Sequence, residues 1–169
     1  MDDIAVNGGD LAATIGDQDW RVAWYPPPDP PPGTRHGAEA VCVTGNRIVL
    51  VSRDGQRWGL PAGRSEEHED WADTLRREVR EEACADVASC RLLGFSRGVC
   101  ARGPQEGLVL VRSHWRAQVR VQSWRPRFEM AHRRLVPADE AIASLAIPEG
   151  LGPFYRRMFA EAAISAAGP

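Results

Sequence analysis

Apolar positions along this chain recur with two periods, and the switches between them mark out its elements. Glu39 to Val43 and Ile48 to Ser52 are β-rich runs, and Thr44-Gly45-Asn46 between them predicts a hairpin. Arg53-Asp54-Gly55-Gln56 reads as a turn, and Trp58-Gly59-Leu60-Pro61 leads into a loop. From Glu69 to about Ala83 the period becomes helical. Trp71, Leu75 and Val79 form one apolar stripe, with Asp70 and Asp73 in the first turns, where negative charge suits the helix dipole. Val87 to Phe95 and Leu108 to Val121 return to strand character, the second alternating through Val109, Val111, Trp115, Ala117, Val119 and Val121. Phe128 to Val136 predicts another strand. A short helix opens at Pro137-Ala138-Asp139-Glu140, and Pro148 closes that region. Residues 150–166 read as a terminal helix with Phe154, Met158, Phe159 and Ala162 on its apolar side.

The N-terminal pattern is weaker. Residues 1–19 keep no period and are expected to be loose. Trp20 to Tyr25 predicts a short strand of imperfect alternation. Pro26-Pro27-Pro28-Asp29-Pro30-Pro31-Pro32-Gly33 cannot join a helix or a central strand, so it reads as an extended connector. The expected organisation is an extension over 1–36 and a domain over 37–169. Interleaved strands and helices, with hairpins and a crossover, predict an α+β sandwich around a mixed sheet.

Composition narrows the function classes. The formal net charge is -2, so a broad electrostatic grip on nucleic acid is not expected. All 21 basic residues are arginine, a composition bias with one consequence: phosphate recognition falls to Arg forks or backbone N–H groups, and no lysine nucleophile exists. Cys42, Cys84, Cys90 and Cys100 form no C-x-x-C pair, which argues against zinc. No apolar run approaches the roughly 18 residues that span a bilayer, and the acidic start lacks a secretion signal. The expectation is a cytoplasmic protein with reduced thiols and no membrane partner.

The informative stretch runs from Gly63 to Glu82. On a helix Glu78, Glu81 and Glu82 project from one face, and close carboxylates repel unless a cation sits among them. Three such groups offer hard oxygen donors suited to Mg²⁺ or Mn²⁺. A solvated helix face neutralised by Arg76, Arg77 and Arg80 is the bland alternative, and the cluster alone does not decide against it.

The wider spacing does. Gly63, five residues, Glu69, seven residues, Arg77-Glu78-Val79, one residue and Glu81-Glu82 resembles the Nudix box, G-x5-E-x7-R-E-U-x-E-E-x-G-U, where U is a bulky aliphatic. Trp58 to Gly63 also resembles the family's approach to the box. Two box positions depart from it: Cys84 replaces the usual glycine, and Ala85 the final aliphatic. Ala62 also stands where many members have a second glycine. The resemblance implies an α/β/α sandwich with a mixed sheet and a Mg²⁺- or Mn²⁺-dependent hydrolase. It implies metal ligation by Glu78, Glu81, Glu82 and the Ala62 carbonyl, with Arg77 orienting a carboxylate such as Glu69. The general base would be Glu81 or Glu78 inside the box; outside it, Glu129 ranks ahead of Glu106.

The expected reaction cleaves a phosphoanhydride of a nucleoside diphosphate linked to another moiety. Hydrolysis of nucleoside triphosphates is the enzymatic rival, and a non-catalytic nucleotide-binding module is the rival of another class. The family's substrate marks downstream of the box are not met at Ala101-Arg102-Gly103-Pro104. Arg97 and Arg102 are phosphate-gripping candidates set against a surface role. His68, His132, Trp115 and Trp124 read as structural or surface residues. A homodimer through Trp20–Tyr25 is a further expectation.

Overall fold

Strand β3 (Thr34–Thr44) shows how the molecule is layered. Ala38, Ala40 and Cys42 point into one apolar cluster, and Val41 and Val43 into another on the opposite side. Its hairpin partner β4 (Arg47–Ser52) divides in the same way: Val49 and Val51 join the first cluster, Ile48 and Leu50 the second. A strand buried on both faces must be covered on both, and two helices supply the covers. Helix α1 (Trp71–Ala83) puts Leu75, Val79 and Ala83 into the first cluster. A second helix, Gly152–Glu161, puts Phe154, Met158 and Phe159 into the other. The computed structural model describes residues 3–164. It shows the expected α/β/α sandwich.

The remaining elements complete one mixed sheet. Strands β1 (Leu11–Ile15), β2 (Gln18–Tyr25), β6 (Ala85–Arg102), β7 (Val109–Val121) and β8 (His132–Pro137) join β3 and β4 in the order β1-β2-β6-β7-β3-β4-β8. The short β5 (Ala62–Arg64) pairs with β3. Only β3 and β7 run parallel among these pairs. A one-turn helix α2 (Ala141–Ser144) precedes the Gly152–Glu161 helix, which is therefore α3. None of the helices among the described residues is long and apolar enough to cross a membrane.

Several expectations are corrected. Within the expected loose stretch 1–19, whose first two residues lie outside the described ones, Gly16, at φ 61, closes a β1–β2 hairpin, and Trp20 just beyond is buried. Residues ahead of 37 thus supply two strands, and β3 itself begins at Thr34. Strand β2 pairs with β1 over Gln18–Val22 and with β6 over Asp19–Tyr25, so most of the segment expected to pair with a second copy is already paired within the chain. Strand β6 continues past Phe95 to Arg102 because β2 and β7 flank it there, a tertiary reason the local pattern does not carry. Strand β8 starts at His132 rather than Phe128. Helix α3 ends at Glu161, and residues 165 and 166 of the expected helix lie outside the described residues.

Helix α1 has defined ends. The Asp70 side chain accepts from Asp73 N at 2.7 Å, and Asp73 accepts from Asp70 N at 3.1 Å, a reciprocal capping box. At the other end Cys84 adopts a left-handed conformation, φ 48 and ψ 53, the geometry that favours glycine. Arg133 Nη1 donates to the Ala83 and Cys84 carbonyls, at 2.9 and 3.2 Å, and so satisfies acceptors at the helix end.

A left-handed non-glycine residue costs about 1–2 kcal/mol, while a glycine adds roughly 0.5–1 kcal/mol of unfolded-state entropy. Cys84→Gly is therefore expected to stabilise the chain by about 0.5–1 kcal/mol, and Cys84→Val to destabilise it by more than about 1 kcal/mol. Thermal unfolding of both variants checks this; a glycine variant melting below wild type would refute it.

Candidate active site

The site is assembled where the loop after β5 meets helix α1. Gly37 allows it, because a Cβ there would collide with the Gly63 carbonyl across the β3–β5 pair. Gly63 in turn allows the helix to approach: a Cβ at Gly63 would collide with the Glu78 carboxylate. The box glycine and the first helix glutamate therefore share one small volume.

Arg77 binds the loop to the helix. Its Nε and Nη2 fork onto Glu69, at 2.8 Å to Oε2 and 3.0 Å to Oε1. Its Nη1 donates to Glu78 Oε1 at 2.8 Å and to Glu81 Oε2 at 3.3 Å, and Nη2 also reaches the Arg64 carbonyl at 2.7 Å. Glu69 is further held by the Glu66 N–H at 2.7 Å and the Thr74 hydroxyl at 3.1 Å. The Arg77 bonds lead in holding the Glu69 carboxyl down at about 2.

The helix carboxylates behave in the opposite sense. Burial pushes Glu82 up to about 7, against a bond from Ala62 N at 3.0 Å and with the charges of Glu78 and Glu129 adding to the rise. Burial also raises Glu78, where Arg77 opposes it and Glu81 and Glu129 reinforce it. Buried, mutually repelling carboxylates of this kind are the donor chemistry of a hard divalent cation. The residues fit such an ion. They do not form a finished cage: among the described residues no three His, Cys, Asp or Glu side chains converge on one point. Glu78 is turned to Arg77, and Glu82 to the Ala62 N–H.

Glu129 is brought close enough to Glu78 and Glu82 to act on their charge, although it lies on an exposed loop before β8. Glu106 is not brought in; it sits in the turn between β6 and β7, where its N–H donates to Gly103 O at 3.0 Å. His68 is exposed beside Glu67, and His132 packs edge-on to Trp58. Trp115 donates its Nε1–H to Ser113 Oγ at 2.8 Å, and Trp124 lies under Arg133. Arg97 donates to Pro32 O at 2.9 Å and Arg102 to Asp19 at 2.6 Å, so both are engaged by the protein.

Sequence reasoning missed what lies next to the box. A cavity of about 350 Å³ opens on the α3 side of the sheet, walled by Trp20, Val22, Leu110 and Phe154. Arg64, Arg112 and His36 also line it. Burial and then the Arg112 and Arg64 charges hold His36 down at about 4. In the same cavity the buried Glu39 accepts from His114 Nδ1 at 3.1 Å and from the Tyr155 hydroxyl at 3.3 Å. Burial acts to raise the Glu39 carboxyl, but His114, Arg112 and Tyr155 together bring it below its ordinary value. Burial and the Glu39 charge push the Tyr155 hydroxyl up, so it remains a donor. The available signal was Glu39 itself, a carboxylate within the apolar run of β3. A second cavity of about 500 Å³, on the helix α1 side, touches Arg77 and Glu81 and carries Arg80, Arg125 and Arg127.

Comparison with known proteins agrees with this architecture. No curated protein sequence matches the chain at a significant level. A mutant of the pyrophosphohydrolase BsRppH from Bacillus subtilis shares the fold with a TM-score of 0.66 at 18% identity, over 86% of this chain and 94% of that one. A NUDIX hydrolase from Nitrosomonas europaea does so with a TM-score of 0.59 at 20% identity, over 80% and 93%. The E. coli ORF135 protein follows with 0.55 at 18% identity, over 80% and 96%. The family model described as the NUDIX domain matches residues 33–158, from the start of the central strand β3 into helix α3. The chain belongs to the Nudix family of hydrolases.

Proposed function

We propose that this hydrolase cleaves the phosphoanhydride bond of a nucleoside diphosphate linked to another moiety. The observation that carries the reading is a juxtaposition. Arg64 follows the Gly63 step directly and also lines the cavity with Arg112 and His36. A diphosphate crossing that boundary has guanidinium groups on one side and the box carboxylates on the other. The apolar walls beyond would receive the organic group at its end.

Glu78, Glu81 and Glu82, with the Ala62 carbonyl, are the residues that would hold Mg²⁺ or Mn²⁺. Such an ion supplies charge neutralisation at the phosphoryl oxygens and acidifies a bound water. Arg77 ties Glu69, Glu78 and Glu81 to one guanidinium, and Glu78 would turn from it to meet the ion. Arg64 and Arg112 offer planar forks to phosphate oxygens. Proton acceptance from water is assigned to Glu81, Glu78 or Glu129. Glu81 combines partial exposure with the longer Arg77 contact, and Glu129 combines exposure with proximity.

Two outcomes test this. The first compares monophosphate release from ADP-ribose, NADH, nucleotide sugars, dinucleoside polyphosphates and nucleoside triphosphates, with and without Mg²⁺ or Mn²⁺. Cation-dependent turnover of diphosphate-linked substrates is expected, falling by about 10²–10⁴ in Glu81→Gln. Preference for triphosphates would overturn the substrate class, and no turnover at all would overturn the catalytic reading.

The second concerns the clasp. A carboxyl lowered on folding contributes stability that is present above its unfolded value, near 4.5, and is lost as pH falls through about 2. Glu69→Gln is expected to lose about 1–2 kcal/mol at pH 7, with the gap to wild type closing between pH 4.5 and 2. Urea unfolding across that range measures it. A gap that stays constant with pH would remove the ion pair as its cause.

A further inference from the structure

The floor of the cavity carries a polar chain that the proposed hydrolysis does not use. Ser96 Oγ lies 2.8 Å from His114 Nε2, His114 Nδ1 lies 3.1 Å from Glu39 Oε1, and the Tyr155 hydroxyl lies 3.3 Å from Glu39 Oε2. All four residues line the cavity. Four elements hold them in place: β3 carries Glu39, β6 carries Ser96, β7 carries His114, and α3 carries Tyr155. The imidazole is clamped between aromatic rings, 5.0 Å from Phe154 and 6.0 Å from Trp24.

This arrangement resembles a nucleophilic serine, yet its surroundings argue against that chemistry. Ser96 sits mid-strand, paired with Trp24 on one side and Arg112 on the other. No strained turn presents its hydroxyl, and its backbone lies within a sheet ladder rather than at a ready oxyanion site. Donor and acceptor accounting points elsewhere. An ionised carboxylate only accepts, so His114 Nδ1 carries the proton that Glu39 Oε1 receives. With that single proton on the ring, Nε2 presents a lone pair, which takes the Ser96 hydroxyl proton. The Ser96 oxygen is left with lone pairs and, among the described residues, no donor directed at it.

We infer that the Glu39–His114–Ser96 relay makes Ser96 Oγ a fixed hydrogen-bond acceptor in the cavity, selecting ligands whose flat heterocycle carries an amino group. The inference rests on the proposed nucleotide reading and deepens it by naming the recognised group. Glu39 and His114 act through Ser96 and are positioning residues. A heterocycle bearing a carbonyl at that point would meet lone pair with lone pair, and one bearing hydrogen would leave the acceptor unpaired.

The test uses the full chain and pairs of nucleoside monophosphates that differ by one amino group. These are AMP with purine riboside monophosphate, GMP with IMP, and CMP with pyrimidin-2-one riboside monophosphate. Calorimetric Kd values are expected to favour the amino member of at least one pair by about tenfold or more, and Ser96→Ala is expected to bring that ratio to about one. Long-range ¹H–¹⁵N spectra of the 4 histidines are expected to show His114 protonated at Nδ1. Ratios near one in all three wild-type pairs, a ratio unchanged by Ser96→Ala, or His114 protonated at Nε2, alone or together with Nδ1, would each overturn the relay. Should Ser96→Ala fail to fold, the wild-type ratios and the tautomer decide. Cation-dependent turnover without amino preference would sink the relay alone; absence of both turnover and nucleotide binding would sink the nucleotide reading with it.

Discussion

The Arg77 guanidinium is the interaction on which the site depends. It reaches back to Glu69 in the loop, sideways to Glu78 and Glu81 on its own helix, and across to the Arg64 carbonyl at the end of β5. Without that cation, partly buried carboxylates would face each other across a narrow gap with only repulsion between them. With it, the loop is folded against the helix, and Glu69, Glu78 and Glu81 are tied to one guanidinium. Two glycines complete the constraint. Gly37 admits β5 to β3, and Gly63 admits Glu78 to β5, so the backbone and the helix meet where side chains would keep them apart. The same packing gives the carboxylates opposite characters: Glu69 is held ionised by its fork, and Glu82 resists ionisation because it is buried.

The sheet explains why this arrangement has a second side. Each central strand is buried on both faces, so residues one apart serve different layers. In the β3–β5 pair Gly63 lies against Glu78 of α1, while the neighbouring Arg64 lines the cavity on the α3 side. The box carboxylates and the cavity thus fall on opposite faces of one short strand. The N-terminal hairpin matters here too: Trp20 and Val22 of β2, in the segment before the prolines, wall the cavity.

Local patterning made part of this legible. The helical stripe through Trp71, Leu75 and Val79, and the glutamates on its other side, lie within a few residues of one another. Their geometry follows from the helix period, and the Gly63-to-Glu82 spacing carried the family. The cap was half legible: Cys84 stands where the family has glycine, and it takes the left-handed conformation all the same. What stayed hidden depends on contacts distant in sequence. The extension of β6 beyond Phe95 requires β2, the burial of Trp20 requires α3 and the sheet, and the Ser96–His114–Glu39–Tyr155 chain draws on four separate elements. No window along the chain contains those neighbours. Glu129 falls between these cases, since it lies far along the chain from Glu78 and Glu82 yet its charge acts on both.

The central claim is that these carboxylates are a divalent-cation site held ready by Arg77, and direct titration of Mn²⁺ into the protein tests it without reference to any substrate. The account predicts saturable binding to wild type, weakened by about tenfold or more in Glu82→Gln and in Arg77→Gln, with circular dichroism showing the fold retained. Equal binding in wild type and both variants, or no saturable binding to wild type, would contradict it.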